Sequence, residues 1–134
     1  MTNELNRSIV AIKARDGILF GEAGPTYSGG TCPFAGIDFY ALDMLIQMGV
    51  IALDECQNNS PTVQEFKAFL SEHPEFQAHG YAVSAERKDY RVTLEGLAGT
   101  ASNMQAALAF SQFFNNADVC RVDQQTLECR SWYD

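Results

Sequence analysis

The stretch YAVSAERKDYRVTLEG, residues 81–96, decides the fold class. Two runs rich in β-forming residues flank a polar centre at Arg87-Lys88, and this pattern is typical of a β-hairpin. A turn centred there pairs residues that share one face of the hairpin: Tyr81 with Leu94, Val83 with Val92, and Ala85 with Tyr90. The stretch therefore predicts two antiparallel strands in the second half of the chain.

Two helices are predicted before this hairpin. Asp38 is a suitable N-cap for a helix over residues 38–48, which Gly49 ends. A second helix begins at Ser60-Pro61 and stops at Pro74. Each carries one apolar stripe at helical spacing, with Ile37, Ala41, Met44, Leu45 and Met48 in the first and Val63, Phe66, Phe69 and Leu70 in the second.

Three further segments complete the prediction. Asp16-Gly17, a favoured hairpin dipeptide, lies between two apolar runs of residues 8–24 and predicts an opening hairpin. Ser102 and Gln105 fit a capping box that starts a helix ending near Asn115. Residues 119–132, VCRVDQQTLECRSW, predict a final hairpin. The inner face of the predicted third helix comprises Met104, Ala107, Leu108, Ser111 and Phe114.

The element order is therefore β-β-α-α-β-β-α-β-β. It predicts the α+β class, with an antiparallel sheet of five to six strands and two or three helices on one face. Without its outermost strands the order reads β-α-β-β-α-β, which is compatible with a ferredoxin-like core. The length of 134 residues fits a single domain over residues 1–134.

Composition and charge narrow the classes of partner. The hydrophobic fraction of 46% is that of an ordinary globular protein, and the net charge is −8. Such an acidic chain repels phosphate backbones and anionic lipid, so nucleic acid and membranes are excluded as expected partners. Glu4, Arg7 and Lys13 interrupt every apolar run near the N-terminus, so no secretory signal is predicted and a cytoplasmic location is expected.

Residues 27–40, YSGGTCPFAGIDFY, form the stretch that most resembles a binding site. Aromatic rings spaced by glycines in a long connection favour an apolar pocket with phenol groups at its rim. The candidate ligand-binding residues are Tyr27, Cys32, Phe34, Phe39 and Tyr40. The alternative is that these rings cover the core and anchor the connection.

A second candidate surface lies in the acidic middle of the chain. Residues 31–80 hold seven carboxylates and one lysine, which gives this segment a net charge of −6. Asp43, Glu65 and Glu72 are expected to project away from the apolar stripes of their helices. They are the candidate residues for binding a basic protein partner.

The cysteines raise two further questions. A thiol enzyme would use Cys32, with His79 as a possible base, and the alternative is that Cys32 is a small buried thiol. A turn centred on Gln124-Gln125 would set Cys120 directly opposite Cys129, as thiols in a reducing compartment. The spacing of the cysteines and histidines fits no metal site, and no cofactor motif is present.

Three functional hypotheses follow from these observations. The preferred one is a small cytosolic, non-enzymatic binding module with an apolar pocket or groove near residues 27–40 for a small apolar ligand. The second is an acidic protein-binding module of the inhibitor or immunity type. The third is a small thiol-dependent enzyme using Cys32. Homo-oligomerisation stays open in each case.

Overall fold

The computed structural model describes residues 5–134 and contains one five-stranded antiparallel sheet with the strand order β1-β2-β3-β5-β4. The predicted α+β class and antiparallel sheet are confirmed. The strands are β1 (Thr31–Ile37), β2 (Gln77–Val83), β3 (Val92–Thr100), β4 (Val119–Val122) and β5 (Glu128–Trp132). The helices are α1 (Ile9–Phe20), α2 (Phe39–Gln47), α3 (Val63–Glu72) and α4 (Met104–Phe113), which is one more than the sequence predicted in the described part of the chain.

The opening hairpin around Asp16-Gly17 was a wrong prediction, because these residues lie inside α1. Ser8 caps this helix by accepting a hydrogen bond from the backbone N–H of Ala11. Its buried residues are Ala11, Arg15 and Leu19, which recur every four positions as a helix requires. An arginine in the middle of that stripe concealed the helical period.

The strand pairing also differs from the expected ferredoxin-like core. In that arrangement the strands of each βαβ unit are parallel and separated by another strand. Here β1 and β2, which precede and follow the two helices α2 and α3 in the chain, are antiparallel and hydrogen-bonded directly to each other. The class is as predicted, but the order of the strands is different.

The hairpin of β2 and β3 has the predicted strands with a register shifted by one residue at its closed end. Tyr81 lies opposite Thr93 and not opposite Leu94. The register changes between His79 and Gly80, because Glu95 forms a bulge in β3. A bulge of one residue breaks the alternation of faces along a strand, and this one sets both Glu95 and Gly96 on the outer face while Leu94 and Leu97 stay on the core face.

The predicted helices are present, with small changes at their N-caps. Asp38 caps α2 as predicted, its carboxylate accepting the N–H of Ala41 at 2.9 Å. Thr62 caps α3 in a capping box with Glu65, two residues after the predicted Ser60. Asn103 caps α4 in place of the predicted Ser102.

All four helices contribute to a single core on one face of the sheet. The predicted stripe of α3 is confirmed, and its Phe69 stacks on Phe113 at 4.4 Å between ring centroids. Other inward predictions were wrong, because Met44, Met104 and Leu108 are about half exposed, at 53%, 49% and 57%. Leu42 and Phe110 fill the corresponding core positions.

No helix in the described range 5–134 is long and apolar enough to cross a membrane.

Candidate functional site

The residues predicted to form a pocket near residues 27–40 do not converge. Cys32 and Phe34 lie on β1 opposite Ala82 and Gly80, and both point to the core face of the sheet. They are 8% and 6% exposed. Phe34 belongs to the main hydrophobic cluster, so its ring is used for packing on that side.

The other three aromatic residues of this segment have separate surroundings. The hydroxyl of Tyr27 accepts a hydrogen bond of 2.7 Å from the buried guanidinium of Arg15. Burial raises the pKa of Tyr27 above its ordinary value. Phe39 packs against the core, whereas Tyr40 is 74% exposed and meets the Phe39 ring edge-on. Tyr27 therefore anchors the connection, as the alternative interpretation of this loop expected.

The three carboxylates of the acidic middle are also used differently from one another. Asp43 forms an ion pair of 3.0 Å with Lys67. Glu65 belongs to the capping box of α3, where its side chain accepts the N–H of Thr62. Glu72 is exposed near the end of the same helix. Two of the three thus have partners within the fold.

The cysteines do not form the pairs that the sequence suggested. Cys32 faces the core whereas His79 lies on the outer face of β2, so the sheet separates them. Cys120 lies opposite Ser131, and Cys129 lies opposite Val122, because the turn spans residues 123–127. All four cysteines are free, and burial raises the pKa of both Cys120 and Cys129.

The outer face of the sheet, which the helices leave uncovered, holds an open groove of about 530 Å³. We call it the open-face groove. It begins at the β1 residues Pro33–Gly36, within the segment where the sequence predicted a site, and crosses the sheet to β5. Its walls are formed by Pro33, Phe34, Ala35, Gly36, Gln77, His79, Gly80, Glu95, Ala98, Arg130 and Trp132. Phe34, whose ring faces the core, borders the groove with its backbone only.

Trp132 is the single tryptophan of the chain and lies at the β5 side of this groove. Its indole N–H donates a hydrogen bond of 3.2 Å to the carboxylate of Glu95. Glu95 reaches it because this residue follows the core residue Leu94 and lies on the outer face. Burial raises the pKa of Glu95, and the hydrogen bond from Trp132 opposes that rise. The pair fixes a large aromatic surface beside the groove.

His79 forms part of the floor of the groove. Its Nε2 lies 2.8 Å from the carbonyl oxygen of Ser131, two strands away, and donates to it when that nitrogen carries the proton. The ring passes over Gly96, where a Cβ atom would lie 3.0 Å from Nε2 and 2.0 Å from the Ser131 oxygen. Burial, and secondarily the charge of Arg130, lower the pKa of His79. The lowered pKa favours the neutral ring, and the contact with Ser131 fixes its orientation.

Two arginines lie at the far side of the groove. Arg121 of β4 and Arg130 of β5 are directly opposite each other on the outer face. Both are exposed, and neither forms an ion pair within residues 5–134. Together with Val119 and Trp132 they line a further depression that adjoins the groove.

Sequence reasoning missed this site because the residues of the groove come from four strands, β1, β2, β3 and β5, and are adjacent only through the strand pairing. The available signal was the alternation of Arg121, Arg130 and Trp132 in the last hairpin. These residues share one face of the hairpin in the predicted register and in a register shifted from it by two residues. No group of three potential metal ligands occurs in the part of the chain that the structure describes.

Comparison with known proteins gives no relative on which to base a function. No family model, no curated protein and no solved structure matches this chain.

Proposed function

We propose that this chain is a non-enzymatic binding module that holds a small, largely apolar molecule in the open-face groove. The observation that carries the proposal is the fixed Trp132 beside a groove of ligand size. A volume of about 530 Å³ falls within the range of small-molecule sites, roughly 300–1,000 Å³. Pro33, Ala35 and Ala98 supply apolar contacts along the groove.

The polar residues of the groove support binding in preference to catalysis. His79 and Glu95 are the groove residues with shifted pKa values, and each already has a hydrogen-bond partner within the protein. A general acid or base must reach the substrate proton within about 3 Å, and these side chains are turned to Ser131 and Trp132. They act as fixed parts of the wall.

The two other hypotheses have less support. In the acidic protein-binding hypothesis, two of the three candidate residues already have structural roles, Asp43 in an ion pair with Lys67 and Glu65 in the capping box of α3. The thiol-enzyme hypothesis needs Cys32 beside a base, and His79 lies on the opposite face of the sheet.

The neutral probe 4-phenylbutanamide tests the proposal. Its roughly 12 non-hydrogen atoms, at about −0.3 kcal/mol each, give an expected Kd of a few millimolar. Because Trp132 is the single tryptophan, the change in its fluorescence reports binding at the groove directly. Amide chemical shifts should change for residues 33–36, His79 and Glu95 and not for the helices.

Ala98→Phe is the blocking variant, because this exposed-face alanine lines the middle of the groove. Ala68→Phe, on the exposed side of α3, is the matched control. We expect Ala98→Phe to weaken binding at least fivefold and Ala68→Phe to leave it unchanged. Equal binding by both variants, or shifts confined to the helices, would refute the proposed site.

A further inference from the structure

We propose that Arg121 and Arg130 form an anion subsite at the end of the open-face groove, and that the ligand is a small monocarboxylate with an apolar body. The inference rests on the proposed function and specifies its ligand class. The carboxylate would lie between the two guanidinium groups, and the apolar body would lie along Trp132.

The position of the two arginines is the first reason. They form a directly opposed cross-strand pair, and like charges in that position destabilise a sheet. Of the nine Lys and Arg residues, Arg15, Lys67, Arg87 and Arg91 have carboxylate partners. Arg121 and Arg130, like Arg7, Lys13 and Lys88, have none within 4 Å among residues 5–134, but they are in addition directly opposed across two strands. A bound anion would remove the repulsion between them.

The neighbouring carboxylates do not neutralise this pair. Asp123 accepts the N–H groups of Gln125 and Thr126 at 2.8 and 3.1 Å, so its charge stabilises the turn. Glu95 accepts the indole N–H of Trp132. Glu128 lies with Asp123 and both arginines along a second depression, on the β3 side of the pair. Its charge should weaken an anion at the subsite without filling it.

The charge of the whole molecule selects among anions. A net charge of −8, with Glu128 and Asp123 near the pair, penalises a dianion more than a monoanion. Guanidinium groups bind the two oxygens of a carboxylate through paired hydrogen bonds. Trp132 lies two residues beyond Arg130 on the same face of β5, where it offers a stacking surface for the rest of the ligand.

The experiment compares 4-phenylbutyrate with neutral 4-phenylbutanamide by titration of Trp132 fluorescence. We expect the acid to bind wild type about five to ten times more tightly than the amide, because hydrogen bonds to charged groups are the stronger ones. Arg121→Gln, which lies outside the groove wall, should remove most of that preference and leave amide binding unchanged. Arg130→Gln should also remove the preference, and because Arg130 lines the groove its amide affinity is measured separately. Glu128→Gln should increase the preference.

Lys88→Gln is the matched control, because it removes one exposed positive charge in the 84–91 turn, outside the groove. It should keep the preference for the acid. Arg121→Gln should keep or raise the melting temperature, whereas a purely structural arginine would lower it when replaced.

Each result decides one level of the proposal. Equal affinity of wild type for acid and amide, or Arg121→Gln and Arg130→Gln behaving like Lys88→Gln, would overturn the subsite and leave the groove standing. Absence of binding by either compound would overturn the groove as well. Tighter binding of 2-phenylethyl phosphate than of 4-phenylbutyrate would overturn the assignment to monocarboxylates.

Discussion

Replacing Phe34 with alanine separates the two interpretations of residues 27–40. If Phe34 lined a ligand pocket, its loss would weaken binding and cost little stability. In the structure its ring is only 6% exposed and belongs to the main core cluster. Removing the ring takes away roughly 120 Å² of buried apolar surface, which corresponds to about 3 kcal/mol, and the cavity left behind raises the loss to about 3–5 kcal/mol.

The assay is urea unfolding followed by far-ultraviolet circular dichroism, which does not depend on Trp132. In a thermal scan the corresponding fall in melting temperature for a chain of this size is about 11–18 °C. Tyr40→Ala is the matched control, because this ring is 74% exposed and its removal should change stability by no more than about 0.5 kcal/mol. A loss below about 1 kcal/mol for Phe34→Ala, in a normally folded protein, would refute its place in the core and restore the loop pocket.

Two further predictions concern titration and reactivity. Burial lowers the pKa of His79, so as the pH falls the unfolded chain takes up this proton before the folded chain does. The stability that neutral His79 supports is therefore present above about pH 6.5 and is lost as the pH falls through the lower folded value. Urea unfolding between pH 7.5 and 5 should therefore show a steeper loss of stability for wild type than for His79→Gln, whose amide can still donate to Ser131. Glu95, with its raised pKa, acts in the opposite direction in both proteins. Parallel curves of stability against pH would contradict the prediction. A thiol reagent should label the exposed Cys56 first and the buried Cys32 and Cys129 only on unfolding. The variant Cys56→Ser should therefore lack the fast phase of labelling. A fast phase that persists in Cys56→Ser and disappears in Cys32→Ser would support the thiol-enzyme hypothesis instead.

The parts of the fold that the sequence predicted well are those with strong local signals. Asp38 is an N-cap that needs no distant partner to be recognised. The stripe of α3 repeats at the helical period with large apolar residues, and these residues form the aromatic core with α4. The hairpin of β2 and β3 was recognised for the same reason, although its register was not.

The errors occurred where a tertiary contact outweighs the local signal. Asp16-Gly17 favours a turn, but Arg15 is fully buried and donates to the carbonyl oxygen of Val83 at 3.0 Å and to Tyr27. These partners are distant in sequence and stabilise α1 against its own turn dipeptide. In the last hairpin, Leu127 adopts a positive φ of 62°, and the turn is longer than predicted. Cys129 therefore lies opposite Val122 and not opposite Cys120.

The location of the groove could not be predicted because it depends on one bulge. The sequence gives period-two alternation in β3, and a strict alternation would set Glu95 and Gly96 on opposite faces. The register shift at His79 and Gly80 instead brings both to the outer face. Glu95 holds Trp132, and Gly96 leaves room for the His79 ring to reach Ser131. Strict alternation from the core residue Leu94 would leave Glu95 outward but turn Gly96 toward the core and Leu97 away from it. Without the bulge the His79 ring would lose its place over Gly96, so the irregularity that the register prediction missed is a feature on which the proposed binding face depends.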